Sequence, residues 1–163
     1  MKQFTGLVTG LSRVLDRIAG FCMVAVMLLV VTNILLRAVF NRPILGTYEY
    51  VTFLTAVTIG LALAYCAVQN GHIAVSYVVE KLPGKIQAAV DVVMSVMALL
   101  FWLLCAWQVG KYANTMALSG VVSPTAQMSF YPFIYLVAFG LLALCLVLLV
   151  KVVESFKKVA FNR

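Results

Sequence analysis

The sequence predicts an all-α membrane protein with four transmembrane helices, both termini on the cytoplasmic side, and a short interfacial helix between the second and third spans. Three observations carry this. Of the 163 residues, 64% are hydrophobic and 10% are charged, with a mean hydropathy of +1.09, whereas soluble domains carry about 25% charged residues. The apolar residues fall into four long runs, each close to the roughly 20 residues that a helix needs to cross a hydrocarbon core about 30 Å thick. The basic residues divide unequally between the two sides that these runs define. Residues 1–163 thus read as a single four-helix domain with little mass outside the bilayer.

The first span is placed at about 18–36, an uncharged run from Ile18 to Leu36 closed by Arg37. It is longer than the apolar core of a signal peptide, about 7 to 15 residues, and no small-residue cleavage site follows it, so it reads as a retained span. The second is placed at about 50–68. Thr47 is expected to cap that helix, which puts Glu49 in its first turn, where a carboxylate favours the positive end of the helix dipole. The third covers about 92–110 and the fourth about 131–150. Pro124 and Pro132 precede or open the fourth, where a missing N–H does least harm.

Between the second and third spans, Gln69 to Lys85 is the one connection long enough to hold structure of its own. His72, Ser76 and Glu80 recur every four residues in it, and Ile73, Val75, Tyr77, Val78, Val79 and Leu82 supply apolar surface. This pattern fits a short helix lying in the headgroup region and ending at Leu82-Pro83-Gly84. The alternative is a continuation of the second helix beyond the bilayer.

An even number of spans puts both termini on one side. That side holds Lys2, Arg13, Arg17, Lys81, Lys85, Lys151, Lys157, Lys158 and Arg163, and the other holds Arg37, Arg42 and Lys111. Nine basic residues against three place the termini and the middle connection in the cytoplasm. The formal charge of +7 therefore reads as a helix-orienting and headgroup-contacting excess. Nucleic acid is not an expected partner.

Several chemistries are excluded by what the spans lack. An ion or proton path normally leaves ionisable residues in the membrane, because burying them is costly and only function retains them; no span has one near its middle. Asp91 lies six residues after Lys85, about 9 Å along a helix, and is read as pairing near the cytoplasmic face rather than relaying protons. One histidine, His72, cannot supply the two axial imidazoles of a membrane b-type haem. Cys22, Cys66, Cys105 and Cys145 fall one to a span with no C-x-x-C pair, which suits packing rather than thiol exchange or metal binding. No catalytic residue, cofactor site or metal site is expected, and the chain is read as a non-enzyme.

What remains is equipment for contact. Thr52, Ala56, Gly60 and Ala64 form an i, i+4 row of small side chains on the second helix, a face that allows close approach in lipid, either to a helix of this chain or to a partner. Asn33, Arg37 and Asn41 share a face of the first helix and carry polarity out of the bilayer, as a partner contact or as a snorkelling arginine flanked by two amides. Glu49 is near Arg37 and Arg42 in sequence, so these three are read either as an Arg–Glu contact between the first two helices or as a contact with another protein. Trp107 and Tyr112 suit an external aromatic belt, whereas Trp102, about 13 Å deeper than Lys111, is expected to pack on a neighbouring helix.

In its order of motifs the chain resembles the small membrane subunit of tripartite ATP-independent periplasmic (TRAP) transporters. The matching features are Asn33 to Arg37 leading to Phe40-Asn41, then Gly46 with Glu49, Gly71-His72-Ile73 with Val75, Leu82-Pro83, Ser123-Pro124 and Tyr131-Pro132. A tryptophan that many relatives carry near Tyr48-Glu49 is absent. The resemblance implies a bacterial inner-membrane subunit without cofactor of its own. It would brace a large membrane subunit that holds the substrate and Na+ sites and takes up a small organic anion, a carboxylate or sulfonate, delivered by a periplasmic binding protein. Expected partners are that large subunit, the binding protein and membrane lipids. The competing readings are a self-sufficient homo-oligomeric transporter or channel, an assembly subunit of another membrane complex, and a membrane thiol oxidoreductase. A topology reporter fused after Arg163 is expected to be active in its cytoplasmic form; activity solely outside the cytoplasm would reverse the orientation.

Overall fold

The structure is a computed structural model, and it describes residues 2–69 and 84–161. Four helices make up almost all of it: α1 (Lys2–Phe40), α2 (Thr47–Val68), α3 (Gly84–Ser119) and α4 (Tyr131–Phe161). Each contains a segment long and apolar enough to cross a membrane, and each predicted span lies within one helix. The proposed interfacial helix, with His72, Ser76 and Glu80, lies outside the described residues.

The short 41–46 turn and the 120–130 connection meet at one end of the molecule, here the loop end, because Glu49 at the start of α2 reaches Thr125 and Ala126 just before α4. The start of α1 and the end of α4 share the opposite end, here the terminal end. Among the described residues α1 packs on α2, α2 on α4 and α4 on α3, while α1 touches α4 more lightly. The helices therefore form a row, with α2 and α4 inside and α1 and α3 at its flanks.

The flanking helices dock along narrow seams. On α1 the seam is Val8, Ser12, Leu15, Ala19, Cys22, Val26, Leu29, Asn33 and Leu36, and on α3 it is Val92, Ser95, Leu99, Trp102, Ala106, Val109, Ala113 and Met116. In both, steps of three and four residues alternate. That 3.5-residue period is the one that keeps a single stripe of a helix facing its neighbour at a shallow crossing angle. Trp102 lies in this seam against the core, while Trp107 faces outward with Lys111 Nζ 5.9 Å from its ring centroid.

At the centre the relation is reversed, since α4 is covered on most sides. It exposes one stripe, Tyr135, Phe139, Leu142, Leu146 and Leu149, and buries Ala138, Leu141, Ala143, Leu144, Cys145, Val147 and Leu148. Gly60 of α2 and Gly140 of α4 make the closest approach. A Cβ on Gly60 would lie 3.1 Å from Val137 Cα, and one on Gly140 would run into the Gly60 carbonyl group and lie 3.1 Å from Leu61 N. The two backbones thus touch where neither residue has a side chain. In lipid, where apolar burial no longer drives association, such contact is what van der Waals packing requires.

The collision at Gly140 is with backbone and cannot be relieved by a rotamer change. Gly140→Ala is expected to destabilise the α2–α4 packing by about 1–3 kcal/mol, the usual range for overpacking. Gly60→Ala should cost less, because Val137 can give way, and Gly60→Leu more. Thermal unfolding in detergent checks the order; equal stability of Gly140→Ala and the parent would show that the crossing is loose.

Candidate functional site

At the loop end, side-chain hydrogen bonds tie the two connections to the helices. Helix α1 stops at Phe40 because Asn41 turns left-handed, at φ 52°, a conformation that asparagine tolerates and that commonly ends helices. The chain then returns along the helix end: Arg42 N donates to Leu36 O at 3.3 Å, and Ile44 N donates to Asn33 Oδ1 at 2.8 Å. Asn33, half-buried in the α1 seam, thus fixes the 41–46 turn. Arg37, Asn41 and Arg42 are exposed.

The α2 N-cap is Gly46, at φ 78°, with no side-chain cap; the expected Thr47 cap is not formed. Thr47 is instead the first helical residue, and its Oγ1 donates to Ile44 O at 2.7 Å. Glycine is required at 46 on two counts. The positive φ disfavours any side chain, and a Cβ there would lie 2.8 Å from Ala126 Cβ.

Ala126 belongs to the 120–130 connection, which closes on itself. Val122 and Ser129 form an antiparallel bridge, Ser123 N donates to Met128 O at 2.9 Å, and Gln127 N donates to Ser123 O at 3.1 Å. Gln127 takes φ 52° to make the turn. This leaves the amides of Thr125 and Ala126 side by side at the tip, pointing to one acceptor. Glu49 fills that role: Thr125 N donates to Oε1 at 3.2 Å and Ala126 N to Oε2 at 2.8 Å. Consecutive amides of this kind form a small anion-binding concavity. Ser123, 1% exposed, lies beside the same carboxylate, its hydroxyl without a partner of full hydrogen-bond geometry.

The expected contact of Glu49 with Arg37 or Arg42 is thereby replaced. Two fixed amides offer the carboxylate a bidentate partner at no side-chain entropy cost, whereas an exposed arginine would have to be ordered first. Among the described residues neither arginine forms an ion pair. One turn further along α2, Phe53 stacks on Phe133 at 4.8 Å and 10° and meets Phe130 edge-on at 5.1 Å and 88°. Glu49 and Phe53, on one face of α2, together clamp the 120–130 connection and the start of α4.

The small row of α2 divides at its middle. Gly60 and Ala64 are buried against this chain's own helices, whereas Thr52 and Ala56 are exposed, with Thr52 Oγ1 donating to Tyr48 O at 2.8 Å. Gly140, Ser123, Ala126, Phe130 and Phe133 were not singled out by sequence reasoning as contact residues. A lone glycine inside the apolar run of the fourth span was the one available signal. Of the cysteines, Cys145 is buried, Cys22 and Cys105 are half-buried and Cys66 is exposed, and all four are free. Among the described residues no three His, Cys, Asp or Glu side chains converge as metal ligands.

Removing the clamp's acceptor leaves two loop amides without their partner, so Glu49→Ala should lower the unfolding temperature and speed hydrogen exchange at Thr125 and Ala126. Glu49→Gln, which keeps one acceptor oxygen, should fall between it and the parent. Unaltered exchange at both amides in Glu49→Ala would show that the carboxylate does not hold the loop.

Neither a curated protein nor a solved structure matches the chain. The sequence model of one family, described as tripartite ATP-independent periplasmic transporters, DctQ component, matches residues 26–158, which include the Asn33 turn anchor, the α2 clamp face and the whole of the 120–130 connection. The chain therefore belongs to the DctQ family, the small multi-pass inner-membrane subunit of TRAP transporters.

Proposed function

We propose that this subunit braces the large membrane subunit of its transporter during sodium-coupled uptake of a small organic anion, a carboxylate or sulfonate, handed over by a periplasmic binding protein. The Na+ and substrate sites belong to the partner subunit. The observation that carries this reading is the row arrangement: α2 and α4 pack closely, while α1 and α3 leave most of their apolar side chains uncovered. A lone transporter or channel would need an internal path with polar or ionisable residues, and the middle of each span has none.

In this reading the loop end faces the periplasm and the termini lie in the cytoplasm, as the distribution of basic residues supports. Arg13, Arg17, Lys151 and the other basic residues of the terminal end resist displacement along the membrane normal, at about 1 kcal/mol each near an anionic leaflet. Trp107 and Tyr112, both exposed on α3, anchor the opposite interface. Exposure supports a division among the contact residues. Arg37, Asn41, Arg42, Thr52 and Ala56 are assigned to partner or lipid contact, while Asn33, Glu49, Gly60 and Ala64 hold the subunit's own shape. His72, Ser76 and Glu80 are assigned to the cytoplasmic membrane surface.

Affinity purification from native membranes in mild detergent should bring down a much larger multispanning protein. Liposomes containing this chain alone should show no solute flux, and those that also contain the large subunit should take up substrate when the binding protein and a Na+ gradient are supplied. Flux through the chain alone would overturn the proposal in favour of a self-sufficient transporter.

A further inference from the structure

Packing between α2 and α4 is unequal along their length. All the fully buried residues of α2 lie at Val57, Thr58, Gly60, Leu61, Ala64 and Ala67, and those of α4 begin at Ala138. From the start of α2 to Ala56, and from Tyr131 to Val137, no residue is fully buried. The α2 row that is covered at Gly60 and Ala64 is uncovered at Thr52 and Ala56. Buried residues thus cluster at the Gly60–Gly140 crossing and toward the terminal end, whereas toward the loop end the two helices meet through partly buried side chains, Phe53 on Phe133 and Val137 beside Gly60.

What joins the two hairpins at the loop end is the clamp already described: Glu49 on the Thr125 and Ala126 amides, Gly46 against Ala126, and Phe53 against Phe130 and Phe133. The connectivity gives this contact leverage. Helix α1 is tied to α2 through the 41–46 turn, with Asn33 holding Ile44 N, and α3 packs on α4. Among the described residues the α1–α2 and α3–α4 hairpins meet mainly through α2 and α4.

We infer that the subunit is a hinged pair of hairpins, with the Gly60–Gly140 contact as pivot and the Glu49 carboxylate on the 125–126 amides as the lock that sets the opening at the loop end. With the lock closed, the two hairpins move as one body. With it open, the loop ends separate while the terminal ends keep their packing. The inference rests on the geometry of this chain and stands independently of which partner the subunit braces.

Two spin-label pairs in the complete chain, with its four native cysteines replaced and in lipid nanodiscs, test it. Leu45 and Leu118, 77% and 82% exposed, report the loop-end separation between the hairpins. Gln69 and Phe156, both exposed, report the terminal end. In Glu49→Ala the loop-end distance distribution should broaden and shift to longer distances while the terminal-end distribution stays as in the parent; Glu49→Gln should give a smaller shift in the same direction. Gly140→Ala, which disturbs the pivot, should move both pairs. An unchanged loop-end distance in Glu49→Ala, or equal broadening at both ends, would overturn the lock. A Gly140→Ala effect confined to the loop end would overturn the pivot. If Glu49→Ala does not accumulate as a helical protein, Glu49→Gln is read by the same criteria.

Discussion

An apolar side chain gains almost nothing by leaving lipid for the interior of a helix bundle, so a membrane subunit holds together through close backbone approach and a few polar fastenings. The Gly60–Gly140 crossing supplies the approach. With no Cβ on either residue, the two central helices come near enough for Leu61, Ala64, Ala67, Leu141 and Leu144 to pack in one core. The flanking helices then need only a stripe each. Small residues recur in those stripes, Ser12, Ala19 and Cys22 on α1 and Ala106 and Ala113 on α3, as expected where dispersion between closely spaced backbones replaces the hydrophobic effect.

The same constraint explains what could be read from the sequence. The four spans are legible because length and hydropathy respond to the bilayer, which treats every face of a helix alike. The faces are not legible by those means. Phe21 points outward and Ala19 inward, and the polar Ser12 and Asn33 sit inside the α1 seam, so the amphipathic rule of soluble helices gives no guidance. The i, i+4 row on α2 was visible as a pattern of small residues, but its division between a buried and an exposed half depends on where α4 crosses it. Gly46 was visible and its role as N-cap was not, because the reason for glycine there is Ala126, far along the chain. The Glu49 partners are backbone amides 76 and 77 residues away, and an amide has no residue identity to recognise.

At the loop end, backbone chemistry rather than side-chain pairing sets the arrangement. A connection lying at the edge of the bilayer must satisfy its own N–H groups, since hydrocarbon cannot. The 120–130 segment satisfies part of this internally through the Ser123–Met128 and Gln127–Ser123 bonds and is left with the two amides at its tip. Glu49 answers both that need and the positive end of the α2 dipole. An arginine in contact with the carboxylate would answer neither. That is the physical reason why Arg37 and Arg42 are not drawn into the clamp and remain exposed.

Rigidity and exposure are therefore assigned to different helices. The pair that carries the close crossing, α2 and α4, supplies most of the buried residues within the spanning segments, while α1 and α3 present large apolar side chains such as Phe21, Met27, Phe101 and Leu104 to their surroundings. A closed four-helix ring would have buried those faces and left a partner only its outer circumference. A row leaves both flanks and the exposed stripe of α4 accessible, at the cost of relying mainly on the α2–α4 contact for its shape. Because that contact buries most residues toward the terminal end and is made by a carboxylate and three phenylalanines toward the loop end, the shape is most easily altered at the end that carries Arg37 and Arg42.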